Sequence, residues 1–314
     1  MKKALSQRPP PRPTVARRKA ALKAHSILGA HQSIAGGLTK AVDAAIETGC
    51  ECLQIFTRNI NRWDVSPIDP DKAEAFKRAV VAADLKLVVA HDSYLINPAS
   101  ANCDLRKKSI DGLVIEITRA HLLAIPWVVA HPGAAGEQAV EEAIARAAVG
   151  IAEALDRTRH FQTGILIETT AGQGTCLGAT FAEIAAMLTQ IDARGFSSRV
   201  GVCLDTCHVF AAGYALSPAE EFNKTLREFD RLIGFKRLVV IHANDSKRER
   251  GSRVDRHEAI GQGKIGRDAF ALIMNHPELA RIPKILETPK EGDDGKRDPA
   301  KDRHNLAVLR GLIE

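Results

Sequence analysis

Short apolar runs rich in β-branched residues recur along the chain, about 25 to 45 residues apart. They are SILGAH (26–31), CLQIFT (52–57), LKLVVAH (85–91), IPWVVAH (125–131), GILIETT (164–170), VGVCLD (200–205), LVVIHAND (238–245) and IPKILET (282–288). Such runs suit strands of a parallel sheet covered on both faces. Between them the apolar positions take the spacing of amphipathic helices, over 37–49, 71–84, 105–123, 137–157, 179–192, 218–233, 266–275 and 300–313. Gly49 stands where a helix C-terminal cap belongs. Eight strand–helix units in one domain-sized chain predict a single α/β domain, a (β/α)8 TIM barrel, over residues 25–314. An open doubly wound sheet is the alternative. Neither Gly-x-Gly-x-x-Gly after the first strand nor a Walker motif is present to favour a nucleotide-binding version of it.

Composition adds a partner class. The chain is 45% hydrophobic and 26% charged, as expected of a soluble globular protein, and no apolar run approaches the roughly 18 residues of a membrane span. No hydrophobic segment follows the basic N-terminus, so it is not a secretory signal. The six cysteines are scattered and lack Cys-x-x-Cys pairs, which predicts reduced thiols and a cytoplasmic location. A net charge of +6 favours a polyanionic partner without naming it. Residues 1–24, basic and rich in proline, read as a flexible extension. They would add non-specific attraction to phosphate unless they are a solvated tail alone.

The strand ends carry the chemistry. His91, His131, Glu168, Asp205, His208, His242, Asp255, His257 and Glu287 lie at or just beyond them, and barrel active sites form at that rim. Each has a bland reading by itself: His91 caps a turn, Glu168 pairs with an arginine, Asp205 caps the next helix. Convergence of all nine on one rim argues instead for metals. Imidazole and carboxylate without thiolate suit zinc, manganese or iron, and nine ligands exceed the needs of one ion. Three divalent cations against four carboxylates leave a positive balance suited to a hydroxide and a phosphodiester. His121, His160, His276 and His304 fall on helices or their flanks, and Cys207 in a core-like stretch, where packing or solvation accounts for them.

The sequence resembles the endonuclease IV family, the zinc-dependent apurinic/apyrimidinic (AP) endonucleases. The likeness runs from GAHQSIAGGL (29–38) through HDSYLIN (91–97), HPG (131–133), AGQG (171–174), VGVCLDTCHVFAAGY (200–214) and GSRVDRHEAIGQGKIG (251–266) to ILETPK (285–290). It implies three zinc ions, with manganese or iron as an option at one site. His91 and His131 would hold the first, with Glu168 bridging to a second completed by Asp205, His242 and Glu287. His208, Asp255 and His257 would hold the third. Glu168, Glu287 and His131 would stand nearest the chemistry. The implied reaction is hydrolysis 5′ to an abasic site in double-stranded DNA, leaving a 3′-hydroxyl and a 5′-deoxyribose phosphate. Trimming of blocked 3′ ends and a monomeric enzyme are implied with it.

DNA contacts would come from Tyr94, from Arg256 and from the stretch INRW (60–63). The family commonly places an arginine where this chain has Asn61, and Arg62 follows one position later. His31 would stand beside the ligands. Thr169 replaces the family's usual asparagine, which predicts altered hydrogen bonding near the metals. Two other readings compete: a xylose-isomerase-like sugar isomerase or epimerase with one divalent metal, and a non-catalytic lesion-binding protein. The extra ligands His208, Asp255 and His257 argue against the isomerase.

Overall fold

The computed structural model describes residues 26–292 and 295–314. The basic extension expected over 1–24 lies outside the described residues. Eight parallel strands close into a barrel: β1 (Leu28–His31), β2 (Cys52–Phe56), β3 (Leu87–His91), β4 (Trp127–Ala130), β5 (Gly164–Glu168), β6 (Val200–Asp205), β7 (Leu238–His242) and β10 (Lys284–Leu286). Closure comes from β10 pairing back onto β1, Leu28 opposite Lys284, so the sheet is not an open one. Around it lie α1 (Leu38–Thr48), α2 (Pro70–Ala82), α3 (Cys103–Leu122), α4 (Val140–Arg157), α5 (Phe181–Asp192), α7 (Ala219–Leu232), α8 (Gly266–Asn275) and α9 (Pro299–Gly311). The predicted TIM barrel is the observed fold.

Two elements were not in the sequence pattern. A short helix, α6 (Thr206–Ala212), starts directly at the end of β6. An antiparallel hairpin, β8 (Asp245–Ser246) with β9 (His257–Glu258), rises after β7. The segment that follows it is fixed by the Asp245 carboxylate, which accepts the backbone N–H groups of Ser246, Gly261, Gly263 and Ile265 at 2.8–3.0 Å. The glycine-rich GQGKIG stretch wraps this buried anion.

Local signals explain the helix ends. Asp69, Asn102 and Thr180 accept backbone N–H groups in the first turns of α2, α3 and α5. Gly49 closes α1 in the left-handed conformation, φ 73°. In α4, Ile144, Ala147, Ala148, Ile151 and Leu155 return at helical spacing and are all buried against the barrel wall.

The main core fills the space between strands and helices. Inside the barrel a second, small cluster of Cys52, Val89, Val129, Leu166, Cys203, Val240 and Ile285 plugs the axis. Side chains alternate along a strand, so the residue two positions beyond each plug residue turns to the axis as well. Those residues are Gln54, His91, His131, Glu168, Asp205, His242 and Glu287. The backbone that builds the plug therefore builds the floor of a polar site above it.

Strand packing tolerates no excess at Gly29, where an added Cβ would stand 1.8 Å from the Cys52 carbonyl oxygen. Gly29→Ala forces β1 away from β2 and should lower unfolding stability by about 3 kcal/mol or more. Urea unfolding followed by circular dichroism would show it as a lower midpoint.

Candidate metal centre

Seven of the nine polar residues expected at the rim line one cleft of about 300 Å³, together with His31, Phe56, Tyr94 and Lys290, and the other two, Asp205 and His242, are fully buried beside them. Their ligand atoms form three groups, each with all atoms within 4.8 Å of one another. His91, His131 and Glu168 make one; Glu168, Asp205, His242 and Glu287 a second; His208, Asp255 and His257 a third. Glu168 belongs to two of them. Its Oε2 lies 3.1 Å from His91 Nε2 and 3.0 Å from His131 Nε2, and its Oε1 lies 2.8 Å from His242 Nδ1. Four of the nine end β3, β5, β6 and β7, and His131 and Glu287 are the residues directly after β4 and β10. His208 comes from α6, and Asp255 and His257 from the hairpin.

Neighbours fix how four of the five imidazoles point. His91 Nδ1–H donates to the Asp92 carbonyl (3.0 Å), His208 Nδ1–H to the Thr169 carbonyl (2.8 Å) and His257 Nδ1–H to the Glu287 carbonyl (3.2 Å). Each bond uses Nδ1–H as the donor and leaves Nε2 as the nitrogen that would bind a metal, the arrangement typical of metal-binding histidines. His242 is reversed: Nε2–H donates to Gln54 Oε1 at 2.8 Å, and Nδ1 faces the carboxylates. Asp205 works on two sides. Oδ1 caps α6 by accepting His208 N–H at 2.9 Å, while Oδ2 accepts Asn244 Nδ2–H at 2.6 Å. Thr169, the departure from the family pattern, uses its hydroxyl to accept the Asp205 N–H at 3.0 Å.

Burial opposes charge on each of these groups, yet opposite charges prevail. His242 and His131 hold the Glu168 carboxyl well below the usual range, and His242 does the same for Glu287. Asp205 and Asp255 raise His208 well above an ordinary imidazole and lift His257 to about 9. Burial pushes the Cys203 thiol up to about 12, so it stays protonated behind the site. The four carboxylates thus look to imidazoles for compensation. Divalent cations would supply it better, and the donor set fits them. His257 Nε2 supports the fit: it is buried, lies 3.2 Å from Asp255 Oδ1, and yet makes no hydrogen bond.

The expected DNA-contacting residues are dispersed. Tyr94 stands at the mouth of the cleft, 64% exposed, with its ring 5.9 Å from Phe56 and 6.4 Å from His131. Asn61 and Arg62 lie on the exposed loop after β2, outside the cleft. Arg256 is exposed beside the hairpin, its guanidinium on the Asp255 carbonyl at 2.6 Å. The loop after β2 hangs from a buried ion pair: Arg58 Nε meets Glu116 of α3 at 2.6 Å, and Arg58 Nη1 donates to the Arg62 carbonyl. Arg119 adds bonds to the Thr57 and Ser66 carbonyls, at 2.6 and 2.8 Å.

Gln54 and Asn244 escaped the reading of the sequence. A polar residue within the apolar run CLQIF, inside a barrel strand, was the available signal for the first. For Asn244 it was the polar residue beyond His242.

A family described as the xylose isomerase-like TIM barrel matches residues 42–312. Fold and site place the chain in that class. A relative from Trichlorobacter lovleyi named Probable endonuclease 4 is 44% identical over 285 residues, which is 91% of this chain and 99% of the relative. The crystal structure of endonuclease IV from Thermus thermophilus superposes with a TM-score of 0.78 at 36% identity, covering 91% of this chain and 98% of that one. A D-tagatose 3-epimerase-like protein shares the fold at 19% identity, with a TM-score of 0.66 and 91% and 98% coverage. The chain belongs to the endonuclease IV family, hydrolytic AP endonucleases. No helix among the described residues is long and apolar enough to cross a membrane.

Asn244 tests the metal fit independently of catalysis. Its side chain holds Asp205 and also accepts the Glu287 N–H at 2.7 Å. Asn244→Ala should weaken metal retention about 10- to 100-fold in competition with a chelator, since groups that orient ligands commonly cost that much.

Proposed function

We propose that this protein cleaves double-stranded DNA on the 5′ side of abasic sites, leaving a 3′-hydroxyl and a 5′-deoxyribose phosphate, and trims blocked 3′ ends in the same cleft. It acts as a monomer. The observation that carries this reading is the set of three ligand groups in one open cleft, two of them joined through Glu168. His91, His131 and Glu168 would hold one zinc; Glu168, Asp205, His242 and Glu287 a second; His208, Asp255 and His257 a third, with manganese or iron able to replace one. Bound divalent ions would supply Lewis acidity and countercharge for the phosphodiester.

The chain's own residues do the rest. The hydrogen bonds to Asp92, Thr169, Gln54 and Glu287 keep the imidazoles aimed without reorganisation when substrate arrives. Asp205, tied to the backbone of α6 and to Asn244, keeps the second and third groups in register. Tyr94 offers an exposed aromatic face at the mouth, where a duplex that lacks a base opens most cheaply.

An isomerase of the same fold would need only the second group. The third group, His208 with Asp255 and His257, favours phosphodiester chemistry.

Nicking of a duplex with one abasic site, combined with elemental analysis, tests the function. The expected outcome is 5′ incision by protein carrying two to three metal equivalents, lost on Glu168→Ala. Incision by protein holding one equivalent or fewer would contradict the trinuclear site, and no incision would contradict the function.

Recognition is tested separately. Stacking on an aromatic is worth about 1–3 kcal/mol, so Tyr94→Ala should weaken binding to abasic duplex about tenfold and hardly affect undamaged duplex. Arg62→Ala should behave alike if the displaced arginine probes the lesion; an equal loss on both duplexes, reduced by salt, would assign it to phosphate contact.

A further inference from the structure

Gln54 is fully buried, in the middle of β2, and faces the barrel axis. Its Nε2 donates to Glu287 Oε1 at 2.6 Å. An ionised carboxylate can only accept, so this contact fixes which way the amide lies. Oε1 must then accept from His242 Nε2–H, which leaves Nδ1 as the ring nitrogen that faces Glu168 and Glu287. The same Gln54 Nε2 lies 3.1 Å from His31 Nδ1. With both amide hydrogens directed outward, His31 Nδ1 accepts, and the His31 proton sits on Nε2.

We propose that Gln54 sets the tautomers of two histidines at once, and that His31, held as the neutral Nε2–H form, donates a hydrogen bond to a phosphate oxygen of the DNA substrate. The proposal rests on the reading of the cleft as a DNA phosphodiesterase site. His31 lines that cleft beside Glu287 and Lys290, and its ring packs on Phe56 with centroids 4.5 Å apart. With Nδ1 taken by Gln54, the opposite ring edge serves the cleft. A neutral donor suits the place, because it recognises phosphate without adding a positive charge where cations gather. Because Nδ1 accepts from Gln54 it carries no proton of its own, so the ring is neutral with its one proton on Nε2. Gln54 is thus a positioning residue, acting through both imidazoles, and His31 is the group that touches substrate.

Two measurements on the full-length, metal-loaded protein test this. Long-range proton–nitrogen spectra of nitrogen-15-histidine protein report tautomers directly. His31 and His242 should both appear protonated on Nε2 in the wild type, and Gln54→Leu should return His31 to a mixture of forms. Finding His31 as the Nδ1–H tautomer or as an imidazolium overturns the proposal, with no variant required to fold. On abasic duplex, His31→Phe should lower kcat/KM about 10- to 100-fold, the range for hydrogen bonds to charged groups. His31→Gln, whose amide can still donate, should recover most of it. Wild-type rates for His31→Phe would remove the donor role. A wild-type protein that leaves abasic duplex intact would instead overturn the functional reading, while the tautomer result would stand on its own.

Discussion

Side chains alternate along a strand, and in a closed barrel one of the two faces can only meet the axis. That constraint organises this molecule. Seven apolar side chains fill the axis at one level, and two residues further along the same strands the alternation returns seven polar ones. Six candidate ligands therefore inherit their positions from the strands, four as their last residues and His131 and Glu287 as the residue directly after one. The seventh, Gln54, inherits its place in the same way and hydrogen-bonds to His242 and Glu287. Strand registers that vary by one residue would turn the ligands into the helix layer and the apolar plug with them.

Crowding four carboxylates and five imidazoles in one cleft is costly unless each has a defined partner. The structure meets this with shared atoms. Glu168 faces four imidazoles, and Asp205 caps a helix with one oxygen while the other faces His242, His257 and Asn244. The bland reading of Asp205 as a helix cap and the functional reading as a ligand are thus both satisfied by one carboxylate. A residue of this kind couples folding to site assembly, because α6 cannot form its first turn without also placing His208.

Much of this was legible in the chain. All eight barrel strands and their flanking helices show in the apolar periodicity, because strands covered on both faces leave an unbroken signal. The nine rim residues were legible as well, since His or a carboxylate ending an apolar run is conspicuous. The short helix α6 was not: seven residues give too few turns for a period, and the apolar VFAA of its sequence merges with β6. The hairpin was hidden for a similar reason, being two residues on each side. Gln54 and Asn244 went unread because an amide carries no charge and suggests no chemistry until its partners are seen. Asn61 and Arg62 are expected at the DNA only through the family resemblance, and an exposed loop of this kind does not reveal from sequence which side chain reaches inward.

The buried pair of Arg58 and Glu116 gives that same loop a particular freedom. Its stem is tied by carbonyls, which every residue possesses: those of Thr57, Arg62 and Ser66 are held by two arginines, and that of Ile60 by Ser93. Little in this scaffold depends on the side chains at the tip. Substitution there is therefore close to neutral for folding, so the tip can drift among lineages while the barrel stays unchanged. An arginine that moves one position along such a loop, as between this chain and the family pattern, is the sort of change that a suspended tip permits.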